Sequence, residues 1–155
     1  MKKPDPAQGL VIRYDYLWRD EAARGRQEGA KDRPCAIVVA RQGDGSETRV
    51  MLAAITHTPP VNPKGAIEIP QQVKRHLGLD DERSWIIVSE LNIVKWEDPG
   101  IVPAQKTRWD YGFLPPKLTK AMVDKAIEQQ QDKKLNFIDR ALIEKRRDRD
   151  DGRSR

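Results

Sequence analysis

Arg33, Thr56 and His57 stand at the two ends of one segment, "DRPCAIVVARQGDGSETRVMLAAITHTPP", residues 32–60. Its two apolar runs are separated by Asp44-Gly45, a pair that favours a hairpin turn. If Asp44-Gly45 is a two-residue loop, Ile37 faces Leu52, Val39 faces Val50, and Arg33 faces Thr56. A slip of one would set Arg33 opposite His57 instead. Residues that face each other share one side of the sheet, so a guanidinium and a hydroxyl meet at the hairpin's open end. A guanidinium can grip two phosphate oxygens at once. A threonine hydroxyl can donate to another, and an imidazole titrates near neutral pH and can give or take a proton. Together these groups suit a phosphate ester.

The surrounding elements must hold that end open. Ile12, Tyr14, Tyr16 and Trp18 alternate with Val11, Arg13, Asp15 and Leu17, the period of a first strand. The charged stretch "RDEAARGRQEGAKD" (19–32) follows. It reads as a long loop with a helical turn near Glu21 to Arg24, and long loops inside small domains are commonly functional. Strands are predicted over 34–41 and 48–56. Pro59-Pro60 and Asn62-Pro63 then stop the pairing, because proline has no N–H for the ladder. "GAIEI" (65–69) predicts a short strand, and "PQQVKRHLGL" a short helix closed by Gly78. Residues 84–96 form one bent strand or two, with the break near Asn92. "YGFL" (111–114) predicts a closing strand. Pro115-Pro116 opens a helix with Leu118, Met122, Val123, Ala126 and Ile127 on one face. A second helical pattern uses Leu135, Ile138 and Leu142.

The 155 residues suit one domain with an extension; 37% are hydrophobic and 34% charged. The longest apolar runs, Cys35–Ala40 and Val50–Ile55, are too short to span a bilayer. Nothing after Met1-Lys2-Lys3-Pro4 resembles a signal peptide, so a cytoplasmic location is expected. The single cysteine, Cys35, permits no internal disulfide and reads as a small buried hydrophobe. No Cys/His spacing for zinc is present, and no cofactor is implied. The net charge is +5, of which residues 117–155 carry +4 (twelve Lys/Arg against eight Asp/Glu). Any nucleic-acid site in the body must therefore rest on local residues rather than on overall charge. The expected fold class is mainly β with α. It is a small antiparallel barrel over 1–116, with a helical extension and a frayed basic tail over 117–155.

"KDRPCAIVVA" followed by "VMLAAITHTPP" resembles the MazF/PemK toxins of bacterial toxin–antitoxin systems. Arg-Pro precedes one apolar strand, and Ile-Thr ends the next. Gly9 before the first strand, Glu28 five residues before Arg33, the "IEIP" segment and the helix after "YGFLPP" add to the likeness. It covers about residues 9–130. The resemblance implies an SH3-like barrel, a homodimer, metal-independent cleavage of single-stranded RNA (mRNA), and neutralisation by a cognate antitoxin. The alternative is a non-catalytic binding or regulatory module on the same barrel.

Metal-free RNA cleavage fits the residues. The ribose 2′-hydroxyl attacks the adjacent phosphate, a base takes its proton, an acid protonates the departing oxygen, and a fixed cation holds the phosphoryl charge. Arg33 is assigned to charge stabilisation, because it is a poor proton donor. Thr56 is assigned to a phosphate oxygen. Glu28 would orient Arg33 or take the proton, or else pair with Arg24 or Lys31. His57 departs from the family, which commonly has a second small hydroxyl residue there. It is a candidate acid or base, or an ordinary surface histidine. RNA contacts are expected from Arg24, Arg26, Lys31 and Thr58 in the two flanking loops. Trp109 is expected to be an exposed platform for a base. Trp18 and Trp85 fall within strand patterns and are assigned to the core.

Overall fold

In the computed structural model of the protein, which describes residues 1–26, 28–29, 31–42 and 47–141, the apolar runs become strands. The elements are β1 (Leu10–Tyr14), α1 (Arg19–Ala23), β2 (Arg33–Gln42), β3 (Thr48–Thr56), β4 (Ala66–Glu68) and α2 (Gln71–Leu77). They continue with β5 (Trp85–Ile87), β6 (Glu90–Lys95), β7 (Ile101–Val102), β8 (Gly112–Phe113), α3 (Pro116–Gln131) and β9 (Asn136–Asp139). Among the described residues the fold is mainly antiparallel β with three α-helices. Strands pair in the order β4-β5-β3-β2-β1-β7, and among the described residues this path does not close on itself. The long central strands also serve side partners. β3 carries β6 along Arg49–Leu52 and β5 along Ile55–Thr56. β1 carries β8 along Leu10–Val11 and β7 along Arg13–Tyr14.

Both faces of the central strands are buried, which is why β2 and β3 read as continuous apolar runs rather than alternating ones. Ala36, Val38, Ala53 and Ile55 face one core, covered by Leu77 of α2 and by Met122 and Ala126 of α3. Cys35, Ile37, Leu52 and Ala54 face a second core with Tyr14, Tyr16, Val94 and Trp96. Local signals set the helix limits. Gly78 ends α2 at φ 72°, a left-handed conformation that glycine adopts without strain. Pro115 and Pro116 open α3, where missing N–H groups cost nothing.

Several expectations change. The β2–β3 register is as predicted at Ile37↔Leu52, but it shifts between Ile37 and Val39, so Val39 faces Met51 rather than Val50. A bulge adds one residue to one strand and cannot be read from two uniformly apolar runs. β1 ends at Tyr14, four residues short of Trp18. The 84–96 segment breaks between Ile87 and Glu90, not near Asn92. Of the expected apolar face of α3, Met122 and Ala126 are buried and Ile127 is exposed. The second helical pattern is corrected: residues 136–139 form β9, which pairs in parallel with β6. Side-by-side pairing with a preformed strand overrode a local three-to-four spacing. The Asp44-Gly45 turn and the tail beyond Ala141, with Leu142, lie outside the described residues. Among the described residues no helix is long and apolar enough to cross a membrane.

Asn92 ties down the segment that leads from β1 to Trp18. It is fully buried; its Oδ1 accepts from Leu17 N at 2.9 Å, and its Nδ2 donates to Leu17 O at 2.9 Å. Arg140 adds hydrogen bonds to Asn92 Oδ1 at 3.2 Å and to Asp15 O at 2.7 Å. These contacts satisfy backbone groups that the end of β1 leaves unpaired, and they fix Trp18 and α1 just beyond.

Candidate active-site cleft

The open end of the β2–β3 hairpin forms one wall of a cleft of about 900 Å³. Ligand sites commonly span roughly 300–1,000 Å³. Pairing runs through Ile37↔Leu52, Ala36↔Ala53 and Cys35↔Ala54. Continued two residues further, that register sets Arg33 across from Thr56, and both side chains line the cleft. Arg33 begins β2 opposite Tyr14. Thr56 ends β3 opposite Trp85.

Arg33 is half-buried, and its guanidinium carbon lies 5.1 Å from the centre of the Trp18 ring. Among the described residues its side chain makes no hydrogen bond or ion pair, and its Nε is buried without an acceptor. Most buried donors are partnered. Thr56 is pre-oriented: its Oγ1 accepts from Thr58 N at 3.1 Å, a tight turn that leaves the hydroxyl proton to be donated. Because β3 stops at Thr56, His57 escapes the strict alternation of a strand and also lines the cleft, as does Thr58.

His57 sits in a charged cluster. Its Nε2 lies 2.7 Å from Asp80 Oδ2, and its Nδ1 lies 3.0 Å from Glu82 Oε2. Only the doubly protonated ring can donate to both carboxylates together. Asp80 Oδ1 receives Lys74 Nζ at 2.6 Å and Glu82 N at 3.1 Å. Lys74 is buried on α2 and also donates to the Glu82 carbonyl. The hydrogen bond from Lys74, the charges of Lys74 and His57, and the Glu82 N–H hold the Asp80 carboxyl below its ordinary range against a smaller desolvation effect. His57, Asp80 and Glu82 bring potential ligand atoms within 4.8 Å of one another. However, the ring turns a different nitrogen to each carboxylate, and an ammonium already sits on Asp80. A shared ion would take one ring nitrogen and open the hydrogen bond that nitrogen now makes.

The remaining wall comes from α1 and β6. Glu21 is buried; it accepts from Trp18 N at 3.1 Å and pairs with Arg26 at 3.0 Å. Glu90 Oε2 accepts from Arg19 N at 2.8 Å, and burial pushes the Glu90 carboxyl up, opposed by that hydrogen bond. Arg24 lines the cleft but pairs with Asp20 at 3.2 Å, and Lys31 lies exposed on the rim. In all, four Lys/Arg and five Asp/Glu line the cleft, so its charge is mixed rather than basic.

The cleft therefore gathers Arg33, Thr56, His57, Thr58, Arg24 and Lys31. Other expected residues lie elsewhere. Glu28 is exposed and is not part of the lining. Arg26 is turned to Glu21, outside the lining. Trp109 is not an exposed platform at the site. It is half-buried between β7 and β8, packs against the second core and takes Lys3 Nζ at 5.3 Å from its ring. Trp18, assigned to the core from its spacing, packs against the second core and also lines the cleft. Sequence reasoning also missed Lys74, Asp80, Glu82 and Glu90. The acidic run Asp80-Asp81-Glu82 directly after the Gly78 stop was the available signal for two of them.

A scan against protein-family models gives no match to this chain. A search of curated proteins gives none either.

Proposed function

We propose that the chain is a metal-independent endoribonuclease of the MazF/PemK type, acting on single-stranded RNA in the cytoplasm. One observation carries this reading: a half-buried guanidinium that has no anionic partner among the described residues faces a pre-oriented threonine hydroxyl across an open cleft. Such a pair suits a phosphodiester. The 2′-oxygen attacks phosphorus, forming the 2′,3′-cyclic phosphate, and the bond to the 5′-oxygen breaks. Arg33 takes the charge on the phosphoryl oxygens, and Thr56 donates to one of them. The 2′-hydroxyl proton passes to a base, and the departing 5′-oxygen takes a proton from an acid. His57 is the titratable cleft group nearest in sequence to Thr56. Glu90, whose carboxyl burial pushes up, is a second acid–base candidate; Glu28 stands off the cleft.

The reading extends to an SH3-like barrel. β1 and β3 each serve two successive partners, the kind of bending that a small barrel needs. It also includes a homodimer and an antitoxin whose extended acidic segment covers Arg33. The mixed charge of the cleft favours local grip over long-range steering. That same feature supports a second reading, a non-catalytic binding module. The test is incubation of folded, antitoxin-free protein with mixed-sequence single-stranded RNA in chelator. Fragments with 5′-hydroxyl ends are expected. Uncut RNA would overturn the enzymatic reading, and cutting that requires added metal would move the chemistry to His57, Asp80 and Glu82.

A further inference from the structure

His57 spends both ring nitrogens on carboxylates, but the two grips differ. Asp80 is anchored: it is tied to the buried Lys74 ammonium and to the Glu82 N–H as well as to His57. Glu82 is not. Its side chain is 67% exposed, and its carboxylate has His57 Nδ1 as its only described partner. The ring is therefore held from the Nε2 side and is readily released on the Nδ1 side. A carboxylate oxygen on an imidazole N–H has the charge and acceptor geometry of a phosphate oxygen. His57 also lines the same cleft as Arg33 and Thr56.

We infer that His57 Nδ1 is a phosphate-contacting point of the cleft and that Glu82 occupies it in the free protein, so RNA binds by displacing Glu82. This rests on the RNA reading above. Asp80 keeps the ring in place during the exchange. Glu82 acts as a tethered competitor that weakens substrate binding without touching substrate.

An exposed ion pair is worth at most about 1 kcal/mol, or about fivefold in binding. Glu82→Gln should therefore tighten binding of a labelled, mixed-sequence 2′-O-methyl RNA by about three- to fivefold. That probe lacks the attacking hydroxyl and cannot be cut. Two comparisons separate displacement from simple loss of negative charge. Asp81→Asn removes an exposed neighbouring charge and should leave affinity nearly unchanged. In a His57→Ala background, Glu82→Gln should give no gain, because the contested nitrogen is gone. An equal gain from Asp81→Asn, an equal gain without His57, or no gain at all would overturn the proposal while leaving the RNA reading intact. No binding by either the parent protein or Glu82→Gln would overturn the RNA reading and this proposal with it.

Discussion

The Lys74–Asp80 pair makes an asymmetric prediction, because its two halves are buried to different degrees. The Lys74 side chain is 1% exposed and that of Asp80 is 49% exposed. Asp80→Ala leaves a buried ammonium with only the Glu82 carbonyl. Stranding a buried charge costs roughly 3–5 kcal/mol, and partial access of water places this case near about 3 kcal/mol. Lys74→Met keeps the apolar stem and removes the buried charge. The remaining Asp80 can turn to water and to His57, and the Glu82 carbonyl keeps Ser84 Oγ, so the two lost hydrogen bonds, offset in part because no ammonium is buried, leave a cost of about 1 kcal/mol. Urea unfolding at neutral pH should show this order, with a gap of about 2 kcal/mol. The pH dependence follows from Asp80, whose carboxyl is held below its ordinary range, chiefly by the Lys74 hydrogen bond. A depressed carboxylate contributes stability above its unfolded pKa and loses it as pH falls through the folded value. The difference between the parent protein and Asp80→Ala should thus be full at neutral pH and shrink in the acid range below about pH 4. Lys74→Met costing as much as Asp80→Ala, or a difference that widens in acid, would refute the reasoning.

Two other predictions concern the opposite wall. Trp18→Ala removes the face on which Arg33 rests; a cation–π contact of about 1 kcal/mol corresponds to RNA cleavage slowed about fivefold, with Trp18→Tyr largely restoring the rate at unchanged stability. Rates unaffected by Trp18→Ala would remove Trp18 from any positioning role. Asn92→Ala orphans the Leu17 N–H and C=O; each lost partner costs about 1–3 kcal/mol, so the urea midpoint should fall and amide exchange at Leu17 should accelerate. A loss under about 0.5 kcal/mol, far below that range, would show that Asn92 does not lock this segment.

Strands with strong local signals were legible: β2 and β3 lie within a residue of their expected limits, and α2 stops at Gly78. The register also held at Ile37↔Leu52. What failed needed information from distant chain. The shift between Ile37 and Val39 was hidden because Cys35 to Val39 are all apolar, so neither face was marked. Trp18 continued the period-two pattern of Ile12, Tyr14 and Tyr16, yet the strand ends at Tyr14, where Asn92 and Arg140 take over the backbone hydrogen bonds. Residues 135–142 carry a helical spacing, but the partner strand β6 lies more than forty residues earlier and decides the outcome. At the site, Arg33, Thr56 and His57 were legible because a hairpin brings its own ends together. Asp80 and Glu82 reach His57, and Lys74 reaches Asp80, only through tertiary packing; the acidic run after Gly78 marks the charges but not their partners.

The central claim is that the Arg33 guanidinium stabilises charge on a cleaved phosphodiester. The direct test is the single-turnover rate of RNA cleavage in chelator by the parent protein and by Arg33→Ala, with folding monitored in parallel. The Arg33 side chain makes no hydrogen bond or ion pair among the described residues, so the variant should stay within about 1 kcal/mol of the parent in stability. Its cleavage rate should fall by about 10²–10³. A folded Arg33→Ala protein that cuts RNA at the parent rate would contradict the account.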